Sequence, residues 1–194
     1  MSLEQYENLF STIRNRRSIY PHQYINREID DETISRILEV ARWAPNHKIT
    51  EPWRFKVIKG DALQRLGTYL GNTYKNTVPE EKFSELKYRK NVEKPTKAAA
   101  VIAISMVRDP LNTVPEWEEI AATACAVQNM WLAASSLNIG AYWSTPKIFL
   151  ENNTFIPLEE GERILGLFYM GYYLGMIPDR EPGLIEEKTI WIRR

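Results

Sequence analysis

From residue 116 to 146 the alternation of polar and apolar positions nearly disappears: after Glu119 no charged side chain occurs until Lys147. Trp117, Ile120, Ala121, Ala124, Val127, Trp131, Ala134 and Leu137 recur there at three- and four-residue steps, which predicts a helix. Ala122, Ala126, Ala133, Ser135 and Ser136 fill much of the remaining circumference, so other elements can approach from several sides. A helix apolar or small nearly all round is a core helix or a membrane span. Thr123, Gln128 and Asn129 favour the core helix of a soluble domain. Asn138 and Gly140 end it, and the chain runs into Tyr142-Trp143-Ser144-Thr145-Pro146, where aromatic rings and exposed backbone donors come together.

Shorter patterns surround this stretch. Ser2 followed by Gln5 resembles a capping box, after which Tyr6, Leu9, Phe10 and Ile13 trace one helical face that closes in Arg14-Asn15-Arg16-Arg17-Ser18. Asp30, Asp31 and Glu32 give a second helix the acidic start it favours; it buries Ile34, Ile37, Leu38 and Ala41, and Pro45 stops it at Ala44. Beyond Pro52, Trp53, Phe55 and Val57 alternate with Arg54 and Lys56, which predicts a strand over 53–59. Gly60-Asp61 opens a helix packing Leu63, Leu66 and Leu70. Residues 80–97 are dense in charge and read as an exposed helix and loop, the most mobile part of the chain. Residues 98–106 and 164–173 are apolar runs suited to buried strands. The closing residues hold Leu184, Ile185, Ile190, Trp191 and Ile192, a tail that needs cover and can find it on a second subunit. Helices lead, strands are interleaved and one helix is central, which gives an α+β fold with a mixed sheet, in a single domain over residues 1–194.

Composition narrows the function classes. The 194 residues carry no net charge, so nothing global favours nucleic acid or acidic membranes as partners. The single cysteine, Cys125, excludes an internal disulfide framework and a cysteine-based zinc cluster. No basic-then-apolar leader pattern occurs, which points to the cytoplasm. Neither a Gly-rich dinucleotide or phosphate loop nor a Gly-x-Ser-x-Gly turn is present. Two stretches hold candidate chemistry. Arg16-Arg17-Ser18 follows a helix; its cations either answer the helix dipole or, with the hydroxyl, clamp a phosphate through charge-assisted bonds. The polar loop 44–53, bracketed by Pro45 and Pro52, carries His47, Lys48 and Glu51 and is either a solvated connection or a ligand-facing one. His47 has no second metal-type ligand at a recognisable spacing, and Glu118-Glu119 reads as a solvated face.

The order of these motifs closely resembles the nitroreductase family. Arg-Arg-Ser follows the first helix; Ala44-Pro45 leads through a polar loop to Glu51-Pro52-Trp53; Ala-Val-Gln-Asn-Met-Trp-Leu-Ala-Ala leads to Gly140-Ala141-Tyr142-Trp143. Gly171 and Asp179-Arg180-Glu181-Pro182 match the closing segment, while His47-Lys48 and Pro115-Glu116-Trp117 are similar to the compact, single-domain bacterial branch. The resemblance covers essentially the whole chain. It implies a homodimeric α+β fold with FMN at the subunit interface. It also implies an enzyme that passes a hydride from NADH or NADPH through the flavin to a nitroaromatic, quinone or similar small acceptor by ping-pong transfer. Arg16, Arg17 and Ser18 would hold the phosphate and ribityl end, His47 and Glu51 would reach the flavin, Tyr142, Trp143 and Ser144 would line its ring, and Arg180 would add charge at the phosphate. The tail, about 174–194, would pack on the partner. No metal is implied. The chain departs from many relatives at Glu51, where they carry Gln, and at Ile49, where they often carry Asn. An ionised Glu51 can accept a hydrogen bond but cannot donate one. Two other readings keep the flavin: a different reaction on the same fold, such as reductive dehalogenation or flavin fragmentation, and a non-catalytic flavin-binding protein.

Overall fold

The computed structural model describes residues 3–176 and 179–193; Ser2, half of the expected capping box, lies outside them. In chain order the elements are α1 (Leu3–Asn15), α2 (Asp31–Glu39), β1 (Trp53–Ile58), α3 (Asp61–Thr77), α4 (Glu85–Thr96), β2 (Ala100–Val107), α5 (Glu116–Ser136), β3 (Ile139–Ser144), α6 (Lys147–Asn152) and β4 (Glu162–Tyr172). Capping at α2 follows its sequence, Asp30 accepting from the Thr33 N–H at 2.7 Å. One further helical turn at Val40–Trp43 carries the chain to Pro45.

The fold is α+β, built on one four-stranded sheet in the order β1-β2-β4-β3. All three pairings are antiparallel; the parallel component of the expected mixed sheet is confined to a bridge between Ser18 and Ala141 at the β3 edge. β2 is covered on both faces, which explains its unbroken apolar run. Ile102 and Ile104 pack with Phe168, Ala126 and Met130 on one side, and Val101 and Ala103 with Leu66, Phe149 and Tyr169 on the other. A bulge between Ile104 and Ser105 shifts the register against β4. Beside it the buried Glu162 carboxylate meets the Lys56 ammonium and the Ser105 hydroxyl, and accepts from the Glu159 N–H at 2.8 Å. A carboxylate so placed needs these partners, since burial without them costs several kcal/mol.

The central helix, α5, lies on the sheet through Ala122, Thr123, Ala126, Val127, Met130 and Ala134. Trp117 and Ala121, expected on its inward face, are exposed instead. The physical reason is size: the small side chains permit the close approach, and Trp117 is left outside. Among the described residues no helix is long and apolar enough to cross a membrane.

The charge-dense residues 80–97, expected as an exposed helix and loop, hold the helix α4, which is docked on α3. α4 packs on α3 where both glycines of α3 face it; a Cβ on Gly67 would stand 2.2 Å from the Val92 carbonyl oxygen, and one on Gly71 would stand 2.5 Å from the Val92 side chain. Gly67→Val gains only about a few tenths of a kcal/mol in helix propensity but must push backbone away. Destabilisation of about 1–3 kcal/mol is expected, read as a lower urea midpoint. An unchanged midpoint would mean that α4 shifts off α3 without cost.

Candidate active site

Three groups of residues converge on α5 and on the strand that leaves it. The first follows α1. The Arg17 guanidinium turns back on the helix end and donates to the Arg14 carbonyl at 2.5 Å and the Arg16 carbonyl at 3.0 Å, so one of the two arginines does answer orphaned helix carbonyls. Arg16 lies over the Trp131 ring, 4.6 Å from its centroid. Burial, then the charges of Arg17 and Arg180, hold its guanidinium below the ordinary arginine range. Arg17 and Arg180 thus both lie within electrostatic reach of Arg16, and Ser18 follows at once, its backbone bridged to Ala141. Beneath Arg16, the buried indole N–H of Trp131 has no hydrogen-bond partner among the described residues, although a buried tryptophan ordinarily finds one.

The second group sits on β3. Along a strand, side chains alternate between faces, and the three consecutive residues Tyr142, Trp143 and Ser144 divide accordingly. Tyr142 opens on a cavity of about 580 Å³ walled by Tyr20, Pro21, His22 and one face of α4. Ser144 accepts from the Lys94 ammonium at 2.8 Å. Trp143 points the other way, its indole packed against Gly166 and its N–H buried without a partner. Its side chain therefore cannot line a ring held by Tyr142; only its backbone faces that side. Residues 139–144 pair with β4 along one edge of β3, the outer strand of the sheet, and on the other edge the Ala141 carbonyl accepts from the Ile19 N–H at 3.0 Å.

Lys94 is the main residue that sequence reasoning missed. Its ammonium stands 4.6 Å from the Tyr142 ring centroid and 4.7 Å from that of Tyr169, and burial pulls it down to about 8. Tyr20, 4.6 Å from Tyr142 ring to ring, was missed as well. A signal for Lys94 existed: Leu86, Lys90, Lys94 and Lys97 share one helical face, opposite Tyr88, Val92 and Pro95.

The third group is the loop after α2. His47 Nδ1 lies 2.6 Å from the Glu118 carboxylate, Lys48 donates to the Thr113 carbonyl at 3.4 Å, and the Glu51 N–H donates to Asn46 at 3.0 Å. The Glu51 side chain is exposed. Lys48, Ile49 and Glu51 all have positive φ, at 54°, 55° and 43°, a conformation costing roughly 1–2 kcal/mol for each L-residue. Glu118 and Glu119 are not a solvated pair. Glu119 is fully buried against Arg108 and accepts from the Asp109 N–H at 2.7 Å, while Glu118 holds His47. One subunit does not bring the third group to the first: Glu118 and Trp131 are roughly 20 Å apart along α5 at the rise of a helix.

With this geometry in view, the nitroreductase family profile matches residues 13–172. The chain belongs to the nitroreductase family. Among relatives of this nitroreductase, YfhC of Bacillus subtilis, whose name assigns it provisionally as an NAD(P)H nitroreductase, is 27% identical over 186 residues, 93% of this chain and 89% of that one. A solved nitroreductase-like protein from Bacillus cereus shares 26% identity and a TM-score of 0.77, with 95% of both chains covered. A protein from Desulfovibrio desulfuricans, provisionally named a nitroreductase and solved in complex with FMN, shares 25% identity and a TM-score of 0.68 over 95% of this chain and 96% of that one.

The Lys94 environment carries a pH signature. Its folded value, about 8, lies below the ordinary 10.5, so between these values the unfolded nitroreductase chain holds a proton that the folded one has released. Stability therefore rises with pH through that window, and the contribution is complete only above the unfolded value. Relative to Lys94→Met, the urea midpoint of the wild type should climb from pH 8 to pH 10.5; a constant difference would show a solvated lysine.

Proposed function

We propose that two copies of this chain form a homodimer that holds FMN at its interface. The enzyme transfers a hydride from NADH or NADPH, by way of the flavin, to small acceptors such as nitroaromatics and quinones. The observation that carries this reading is the guanidinium cluster of Arg16, Arg17 and Arg180 beside Ser18, only two residues from Tyr20 on the cavity wall. An arrangement of this kind suits a ligand with a phosphate at one end and a flat ring at the other. The family, the FMN complex of the Desulfovibrio relative and the name of the Bacillus subtilis relative support the same ligand and reductants.

The residues present fit the cofactor. The cavity floor offers an aromatic face at Tyr142 and donors at Lys94 and Ser144, and the Trp131 N–H near Arg16 is a buried donor without an acceptor. When bound, FMN supplies the two-electron hydride chemistry; the protein binds it, orients it and sets its charge environment. Arg16, Arg17, Ser18 and Arg180 hold the phosphate and ribityl end. Lys94, held against Ser144 and Tyr142, would offer positive charge to a flavin ring bound there and so would favour its reduced form. Tyr142 and Ser144 face the ring with their side chains, and Trp143 with its backbone. His47 and Glu51 belong to the loop that a second subunit brings across.

The dimer is supported by what a single chain leaves uncovered. α1 buries none of its residues, so Leu3, Tyr6, Leu9, Phe10 and Ile13 all face outward. Leu184, Ile185, Ile190, Trp191 and Ile192 of the tail are exposed too, Ile190 at 89%. Apolar surface of that extent marks an interface, and a two-fold axis is the commonest way to close one.

Purified protein should be yellow, or become so with FMN, and should bleach under NADH or NADPH without oxygen. Arg16→Ala combined with Arg17→Ala should weaken FMN binding at least tenfold, equivalent to about 1.4 kcal/mol, in a fluorescence titration; unchanged affinity would remove the phosphate assignment. Truncation after Leu174 should shift the sedimenting species toward monomer. A truncated protein that remains a tight FMN-bound dimer would remove the tail from the interface.

A further inference from the structure

We propose that the outer half of the cavity beside Tyr142 recognises the anionic group of a small aromatic electron acceptor, such as an aryl carboxylate, through Arg89 and Lys90. This rests on the flavin reading above and specifies the substrate class of that same site. The argument starts from α4, which has two unlike faces. Tyr88 and Val92 pack on the glycines of α3, and Pro95 is buried. The face turned to the cavity is Leu86, Arg89, Lys90, Glu93, Lys94 and Lys97, the spacing of a single helical stripe. A stripe facing a cavity with four cations and one carboxylate is not a core face.

The one carboxylate is already engaged, since Glu93 pairs with Lys97 at 3.3 Å. Lys94 lies inward on Ser144 and Tyr142. Arg89 and Lys90 are exposed at the mouth and form no ion pair among the described residues. The opposite wall is aromatic: Tyr20 stands 4.6 Å from Tyr142, and His22 stacks on Tyr20 at 5.9 Å with ring planes 11° apart. Rings on one side and unneutralised cations on the other select a flat molecule with a negative substituent. Such a substituent would be held at the mouth while the reducible group points inward to Lys94 and the flavin. For a nitro acceptor the step balances with one hydride from NAD(P)H and one proton, giving the nitroso product and water.

The test compares 4-nitrobenzoate with 4-nitrobenzamide, which differ only in the charge of the substituent. Steady-state kinetics are run on the FMN-loaded wild type, on Arg89→Gln/Lys90→Gln, and on Lys87→Gln, a cation of α4 outside the stripe. The kcat/KM ratio of the anion to the amide should fall threefold or more in the double variant and hold in Lys87→Gln. Calorimetry with unreactive benzoate and benzamide should show the same drop in relative affinity. A smaller drop in either measurement, with FMN retained, overturns the acceptor proposal alone. A drop that falls instead on the NADPH-to-NADH ratio also overturns it, and assigns the cations to the reductant's phosphate. Failure of the wild type to bind FMN overturns the flavin reading itself.

Discussion

Small side chains on one face of α5 bring that helix down onto the sheet, and the three groups of the site take their positions from this contact. Ala122, Ala126 and Ala134 are buried to 5% or less, and these small side chains leave room for Met130 to pack with Ile102, Ile104 and Phe168 of β2 and β4. Glu119 is carried into the interior, where Arg108 and the Asp109 N–H answer its charge and so fix the loop ahead of α5. Glu118, one residue back, emerges at the rim and meets His47. At the far end Trp131 forms the surface under Arg16. β3 starts three residues after the helix ends, so Tyr142 and Ser144 sit on a paired strand rather than a loose exit, which is the rigid support that a cofactor site requires.

What the pattern of residues could and could not reveal follows from the same contact. Periodicity located α1, α2, α3, β1, β2 and β4 within a few residues, because each has one dominant apolar face or run. It could not set the rotation of α5, whose alanines and serines leave several faces nearly equivalent. Consecutive helical residues differ by about 100° in direction, so adjacent glutamates look alike in sequence while one is buried and the other lies at the rim. Trp143 was grouped with its neighbours for a related reason: a short aromatic run does not show that it will be a strand, and strand pairing sends alternate residues to opposite faces. Lys94 was hidden by the density of charge around it. Motif order gave the family, whereas the division of labour within each motif needed the coordinates.

The loop of His47 and Glu51 shows how local strain is sustained. Three non-glycine residues with positive φ within four positions, one of them β-branched, are not a conformation that a solvated loop adopts by default. The close contact of His47 with Glu118, the Lys48 bond to Thr113 and the Asn46 bond to the Glu51 N–H hold it there. Ile49, at 82% exposure, stands at its tip. Strain maintained by surrounding bonds clusters where a segment must present itself in one geometry. The distance along α5 places that presentation outside the chain's own arginine cluster. The homodimer proposed above would account for both the exposed tip and the separation.

A protein with no net charge nonetheless gathers cations in two places, around Arg16 and along the cavity face of α4, through the deployment of its acids rather than an excess of bases. Glu93 is tied to Lys97, Glu116 to Arg163, Glu118 to His47, Glu119 to Arg108 and Glu162 to Lys56. Each of these carboxylates is engaged by a partner, and none lies among the charges that act on Arg16 or shift Lys94. Arg17 and Arg180 act on Arg16 at one place, burial disfavours the Lys94 ammonium at the other, and Arg89 and Lys90 form no ion pair among the described residues. Low-dielectric walls focus such a field along a cleft. A ligand with negative charge at its far end and electron density accumulating in its ring would relieve the repulsion at the first point and the desolvation of charge at the second. A zero net charge, which globally favours no nucleic acid, is thus compatible with local groups of cations, because it says nothing of where the acids lie.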